Sequence, residues 1–225
     1  MGVLAFCMMA MSYFSAYEEE CTEAITFVET HTEIRNDLTI ALNGTENAVL
    51  AISIVLPEIS QYSRFENFTQ TRMMYITYIQ FGQGNFSVGY FQMKPSFAQE
   101  IESAITKDKI LFRRYKDLII LEKDECQKRY ERLNRLDDLS WELRYLEAFY
   151  EIAEKKISQW FPSMESPINK LKYLSALYNG GLDLSYEEAN KCLKRRQFPH
   201  FSRIQYNYSD CAIEFYYRIK KKWNE

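Results

Sequence analysis

Apolar residues recur at intervals of three and four along most of this chain, the period of one helix face. The clearest run is Leu139, Leu143, Leu146, Tyr150, Ala153, Ile157 and Trp160, which predicts one long helix with a continuous apolar stripe. Residues 18–42 carry a looser version, with Ile25, Val28, Leu38 and Leu42 among the apolar positions. Asn43-Gly44-Thr45 then reads as a helix stop followed by a new start. From Ala48 to Leu56 the chain is apolar almost all round, as expected of a helix buried in the middle of a domain. Further helices are predicted over about 168–178, ended by Asn179-Gly180-Gly181, and over about 209–223. Lys220, Lys221 and Lys222 suit the C-terminus of that last helix. Strand-like alternation never persists beyond about five residues, and no internal repeat is present. The pattern predicts a mainly α fold.

Two stretches break the rhythm. Gly82-Gln83-Gly84-Asn85 is turn material. Gly89 then allows the backbone to pass close to a ligand or a helix where a side chain would clash. Gln92 offers both a donor and an acceptor, and Pro95 suits the first turn of a new helix. The other is residues 99–138, dense in charges of both signs, which reads as a solvated helical insertion or arm. The expectation is that it projects from the core and offers a surface, over 100–136, to a protein partner.

Composition narrows the function classes. Seven Gly and five Pro in 225 residues disfavour sandwiches, barrels and glycine-loop nucleotide folds. A net charge of −3 lacks the basic footprint of a nucleic-acid binder. Residues 1–16 are apolar and uncharged, too short to span a membrane, and read as a candidate export signal; the alternative is a buried first helix in a cytoplasmic protein. Uncleaved, that segment would be the only membrane attachment. Beyond it, Cys21, Cys126, Cys192 and Cys211 form an even set with Cys192–Cys211 as the favoured pair. No C-x-x-C is present and the two histidines lie far apart, so no metal site and no cofactor is expected.

The chemistry centres on Glu58, which with Pro57 directly follows the apolar helix. A carboxylate there is costly to bury as an anion, and apolar surroundings raise its pKa toward that of a general acid.

In order, these pieces resemble the lysozyme-like lytic transglycosylases, relatives of the goose-type lysozymes. That family carries a catalytic Glu at the end of a buried helix, then Gly-Leu-Met-Gln followed by Pro and Thr-Ala, and later Ala-Tyr-Asn-Ala-Gly. Here Glu58 ends the apolar helix, Gly89-Tyr90-Phe91-Gln92 is followed by Pro95 and Ala98, and Tyr178-Asn179-Gly180-Gly181 comes later. The resemblance covers roughly 46–98 and 139–217. Ile59 stands where the family has Ser, with Ser60 one further on, and Phe97 stands in place of Thr.

The resemblance implies a single lysozyme-like domain over 17–225, exported to the periplasm or outside the cell, cleaving peptidoglycan glycan strands. Glu58 would act as acid and then base, giving a 1,6-anhydro product. The implied substrate-binding set is Gly89, Tyr90, Phe91 and Gln92, with Tyr178, with Asn179 holding its turn, and with Tyr216 closing the groove from the last helix. No compelling second carboxylate is legible, Glu66 being the nearest candidate. Two alternatives remain at this level: a lysozyme-like domain that binds glycan or protein without cleaving, and a helical interaction protein unrelated to cell walls.

Overall fold

The computed structural model describes residues 11–62, 68–200 and 202–224, and those residues form a mainly helical protein. Its centre is α4 (Thr45–Ile59), buried from Ala48 through Pro57. A helix apolar on every side must be covered on every side. It is wrapped by α2 (Glu18–Thr30), α3 (Thr32–Ala41), α9 (Leu139–Trp160), α10 (Pro167–Gly180) and α12 (Tyr208–Asn224), with α12 its most extensive neighbour. Among the described residues no strand forms, and no helix is long and apolar enough to cross a membrane.

Four of the remaining helices build a second group against α9. They are α5 (Phe68–Phe81), α6 (Pro95–Lys107), α7 (Lys109–Tyr115) and α8 (Glu125–Leu136), with a 3₁₀ turn at Lys116–Leu118. This group corrects the expected arm. Residues 99–138 do not project: Ile101, Ile105, Leu111, Tyr115, Leu118, Leu133 and Leu136 all lie in the core. Their charges are used in two ways that helix periodicity hides. Asp108, Asp124 and Asp138 are N-caps, each accepting from backbone amides at the start of α7, α8 and α9. Arg132 is 1% exposed. It gives Glu102 two bonds of 2.9 and 2.7 Å and donates to the Tyr78 hydroxyl at 3.1 Å, while Tyr145 donates to Glu102 at 2.8 Å. A buried ion pair made in this bidentate way, with its spare lone pairs occupied, is tolerable in a core.

The N-terminal segment is described only in part. Residues 1–10 lie outside the described residues. The rest of the segment forms the short α1 (Tyr13–Ala16), and Tyr13 and Phe14 are buried in the core. The Tyr13 hydroxyl meets Ser60 Oγ at 2.8 Å and accepts from Gln61 Nε2 at 2.9 Å, just past the end of α4. The described part is thus a short helix packed into the core.

The favoured cysteine pair is also corrected. Cys21, Cys126, Cys192 and Cys211 are all free thiols. Cys211 turns inward with Cys21 and Tyr13, while Cys192 ends α11 (Tyr186–Cys192) on a partly exposed face.

Candidate functional site

Glu58 lies one residue from the end of α4, where Pro57 has already removed one helical hydrogen bond. It keeps partial access to solvent although its neighbours on both sides are buried. Burial pushes its carboxyl up to about 8, against the pull of the Lys94 ammonium and the Tyr208 hydroxyl. At neutral pH the side chain is therefore mostly a neutral acid. That is the state a proton donor needs.

Tyr208 replaces the aromatic expected from the last helix. Its hydroxyl donates to the Ile54 carbonyl at 2.9 Å and also meets Glu58. Tyr216 is instead bonded to Glu46 at 2.5 Å, with Lys220 donating to both. The two helices run antiparallel, so eight residues forward from Tyr208 to Tyr216 correspond to eight back from Ile54 to Glu46. Glu46 and Glu58 are twelve residues apart on one helix, about 18 Å along its axis. Tyr216 thus serves the far end of α4, away from Glu58.

The Gly89–Gln92 segment is a tight turn, closed by a bridge in which Val88 and Met93 exchange backbone bonds of 3.0 and 3.1 Å. Gly89 and Gln92 both take left-handed backbone angles, φ +73° and +51°. A Cβ on Gly89 would lie 2.1 Å from the Leu136 carbonyl oxygen and 2.2 Å from Glu142 Oε1. The close approach that Gly89 permits is therefore to the α8–α9 junction and not to a ligand. The backbone amides of Tyr90 and Phe91 are likewise taken: they donate to Glu142 Oε2 at 3.2 Å and Oε1 at 2.8 Å. The Phe91 carbonyl accepts from the Tyr178 hydroxyl at 2.6 Å.

What the turn leaves toward solvent is the half-buried Tyr90 ring, packed at a tilt between Phe27 and Tyr62 with centroids 4.7 and 4.9 Å away, and the half-buried Gln92. The Gln92 amide donates to the Gly89 carbonyl at 2.7 Å, which orients its side-chain oxygen away from its own turn.

Tyr178 is buried against Phe97 and Phe149, its ring centroids 5.5 and 5.3 Å from theirs. It ties α10 to the turn and lies close enough to both Glu58 and Glu142 for their charges to raise its pKa further, after burial itself. The structure thus gathers Glu58, the Gln92 turn and Tyr178 in one region. Asn179 does not join them: it is exposed in the last turn of α10. That helix end is held instead by Gly181, at φ +112°, donating to Leu177, and by Leu182 donating to Glu100.

Glu142 is the residue that sequence reading missed. It is fully buried, with burial pushing its carboxyl up to about 8 against the pull of the two turn amides. A signal was present, since Glu142 stands four residues before Leu146 and seven before Phe149 and so lies on the apolar stripe. Glu66 lies outside the described residues. Other buried carboxylates are committed elsewhere, Glu102 to Arg132 and Glu147 to Arg144. Among the described residues no cluster suited to a metal ion occurs. A concavity among the described residues lies away from Glu58, between the α3–α4 turn, α7 and α9. Its charges already pair as Arg114–Glu151 and Lys155–Asp108, so it asks for no ligand.

The two raised carboxyls set a pH signature. A group that holds its proton to about 8 when folded, but releases it near 4.5 when unfolded, leaves the folded state binding more protons across that window. Stability attributable to these groups is full below about 4.5 and falls as pH rises toward 8. Thermal melts from pH 4.5 to 9 should therefore show Glu58→Gln gaining on wild type as pH rises. A constant difference across that range would mean that Glu58 titrates normally.

No protein-family model, curated protein or solved structure matches this chain.

Proposed function

We propose that this protein is an exported lytic transglycosylase of lysozyme-like fold, cleaving the MurNAc–GlcNAc bond of peptidoglycan with Glu58 as its single acid and base. The observation that carries this reading is a carboxyl made neutral by burial, still reachable from solvent, beside a turn presenting Gln92 and an aromatic ring. In the first half-reaction protonated Glu58 gives its proton to the glycosidic oxygen as the bond to C1 breaks. In the second, the Glu58 carboxylate takes the proton of the sugar's own 6-hydroxyl, whose oxygen bonds C1. The acid is regenerated and no water is consumed.

A two-carboxylate hydrolase would need a second carboxylate free to act as base or nucleophile. Glu142 is buried and already occupied by two amides, which favours the single-residue route.

The test is incubation of the purified protein with peptidoglycan and mass spectrometry of the products. Fragments ending in 1,6-anhydro sugars are expected. Fragments that have gained water would make it a hydrolase, and intact glycan would overturn the cleavage reading.

One observation favours the second reading, a lysozyme-like domain that binds without cleaving. Ile110 and Phe112 on α7, and Leu121 just beyond it, are exposed apolar side chains at 75%, 44% and 87%. On that reading this edge of 100–136 contacts a protein, and glycan remains intact in the same assay.

A further inference from the structure

Glu142 is a fully buried carboxyl whose two oxygens each accept from a backbone amide of the same turn. Its companions there are mostly unhelpful to a charge. Asp137 and Asp138 at the α8–α9 junction both oppose its ionisation, and Tyr75 from α5 and Tyr178 from α10 also lie nearby. A residue kept only for packing on this apolar stripe would be Leu or Met. What the carboxylate provides is two acceptors, at the spacing of consecutive amides, for a turn that has few other ways to satisfy them.

The turn is otherwise strained. Gln92 is not glycine, yet it sits at φ +51°, a region non-glycine residues adopt only when their surroundings enforce it. The enforcing contacts are visible. Glu142 holds the amides of Tyr90 and Phe91, Tyr178 holds the Phe91 carbonyl, and Gly89 presses on Glu142 with no room for a Cβ. Three elements, α9, α10 and the bridge of Val88 with Met93, grip four residues. Gln92 keeps its side-chain carbonyl oxygen unengaged among the described residues.

The geometry points to Glu142 as a positioning residue that clamps the Gly89–Gln92 turn through two backbone amides and so presents Gln92 to the sugar beside Glu58. This rests on the glycan-cleaving reading above. Glu142 never meets substrate. It acts through Gln92, and its removal should harm the reaction only as far as Gln92 is displaced. A displacement of about 1 Å in a positioning group costs on the order of 10²-fold in rate.

The experiment is a double-mutant cycle on peptidoglycan cleavage together with amide hydrogen exchange. Glu142→Ala should lower kcat about 10²-fold, and Glu142→Gln, which keeps one acceptor, should lie between it and wild type. Gln92→Ala should lower the rate by itself. The double variant Glu142→Ala/Gln92→Ala should then be no slower than the slower single variant, because the two act through one contact. Losses that multiply would overturn the proposal. If Glu142→Ala does not fold, the same cycle is run with Glu142→Gln.

Exchange supplies the arm independent of activity. The amides of Tyr90 and Phe91 should exchange about tenfold or more faster in the Glu142 variants, relative to α4 amides in the same sample. Unchanged exchange would overturn the clamp whatever the activities. Accelerated exchange together with a wild type that leaves peptidoglycan intact would retire the cleavage reading, and the catalytic purpose of the clamp with it, while leaving the clamp itself standing.

Discussion

Glu58→Gln should cleave peptidoglycan at least about 10⁴-fold more slowly than wild type, at or beyond the upper end of what general acid–base assistance supplies. The amide copies the shape of the protonated carboxyl but has no proton to give and no anion to retake one. No second carboxylate among the described residues stands ready to substitute, since Glu142, Glu102 and Glu147 are each bound to other partners. Folding should not suffer. With its pKa near 8, Glu58 is already neutral in most molecules at pH 7, so the substitution replaces one neutral group by another. Wild-type activity should itself decline as pH rises through about 8, as the acid form is lost. Single-turnover rates on purified glycan strands would measure both effects. A Glu58→Gln protein that cleaves at the wild-type rate would mean that Glu58 is not the acid, and the mechanism would fall even if the fold stood.

The largest stability effect should come from Arg132→Ala. It leaves Glu102 in the core with only Tyr145 as a partner, and stripping one member from a buried pair costs about 3–5 kcal/mol. In a chain of 225 residues that corresponds to a fall in Tm on the order of 10 °C. Lys128→Ala, one turn away on the same helix, removes only a part-exposed contact at 4.0 Å and should cost between 0 and about 1 kcal/mol. Replacing both partners together, as Arg132→Met with Glu102→Leu, should recover most of the loss, because no uncompensated charge is left. Equal small effects of Arg132→Ala and Lys128→Ala in thermal melts would mean that α8 is peripheral after all. On the same grounds, deleting residues 99–138 should unfold the protein and not leave an intact remainder.

Periodicity alone determined much of this protein. The stripe from Leu139 to Trp160 is α9, the apolar run from Ala48 is α4, and the stop at Asn43-Gly44 separates α3 from α4. These signals are local: a helix face repeats within a few residues, and a cap or a glycine acts within one turn. For the same reason the Gly89–Gln92 break and the glycine stop after α10 were legible as turns, and Glu58 as a carboxyl at the edge of an apolar helix. The sequence also carried the elements of the charged stretch, since Asp108, Asp124 and Asp138 are all ordinary N-cap residues at helix starts.

Only the tertiary structure decided what those elements face. Arg132 and Glu102 are thirty positions apart, and nothing near either one says that the other will neutralise it, so a core pair looked like a solvated surface. The choice of Tyr208 over Tyr216 beside Glu58 depends on the register of α12 against α4. That register is set by interdigitating side chains along the whole interface and leaves no mark at any one residue. Glu142 shows the limit most plainly. Its place on an apolar stripe was visible, but its meaning came from two amides more than fifty residues earlier in the chain, brought to its oxygens by the packing of α9 against the turn. A buried charge is explained by its partners, and partners distant along the chain become neighbours only when the core closes.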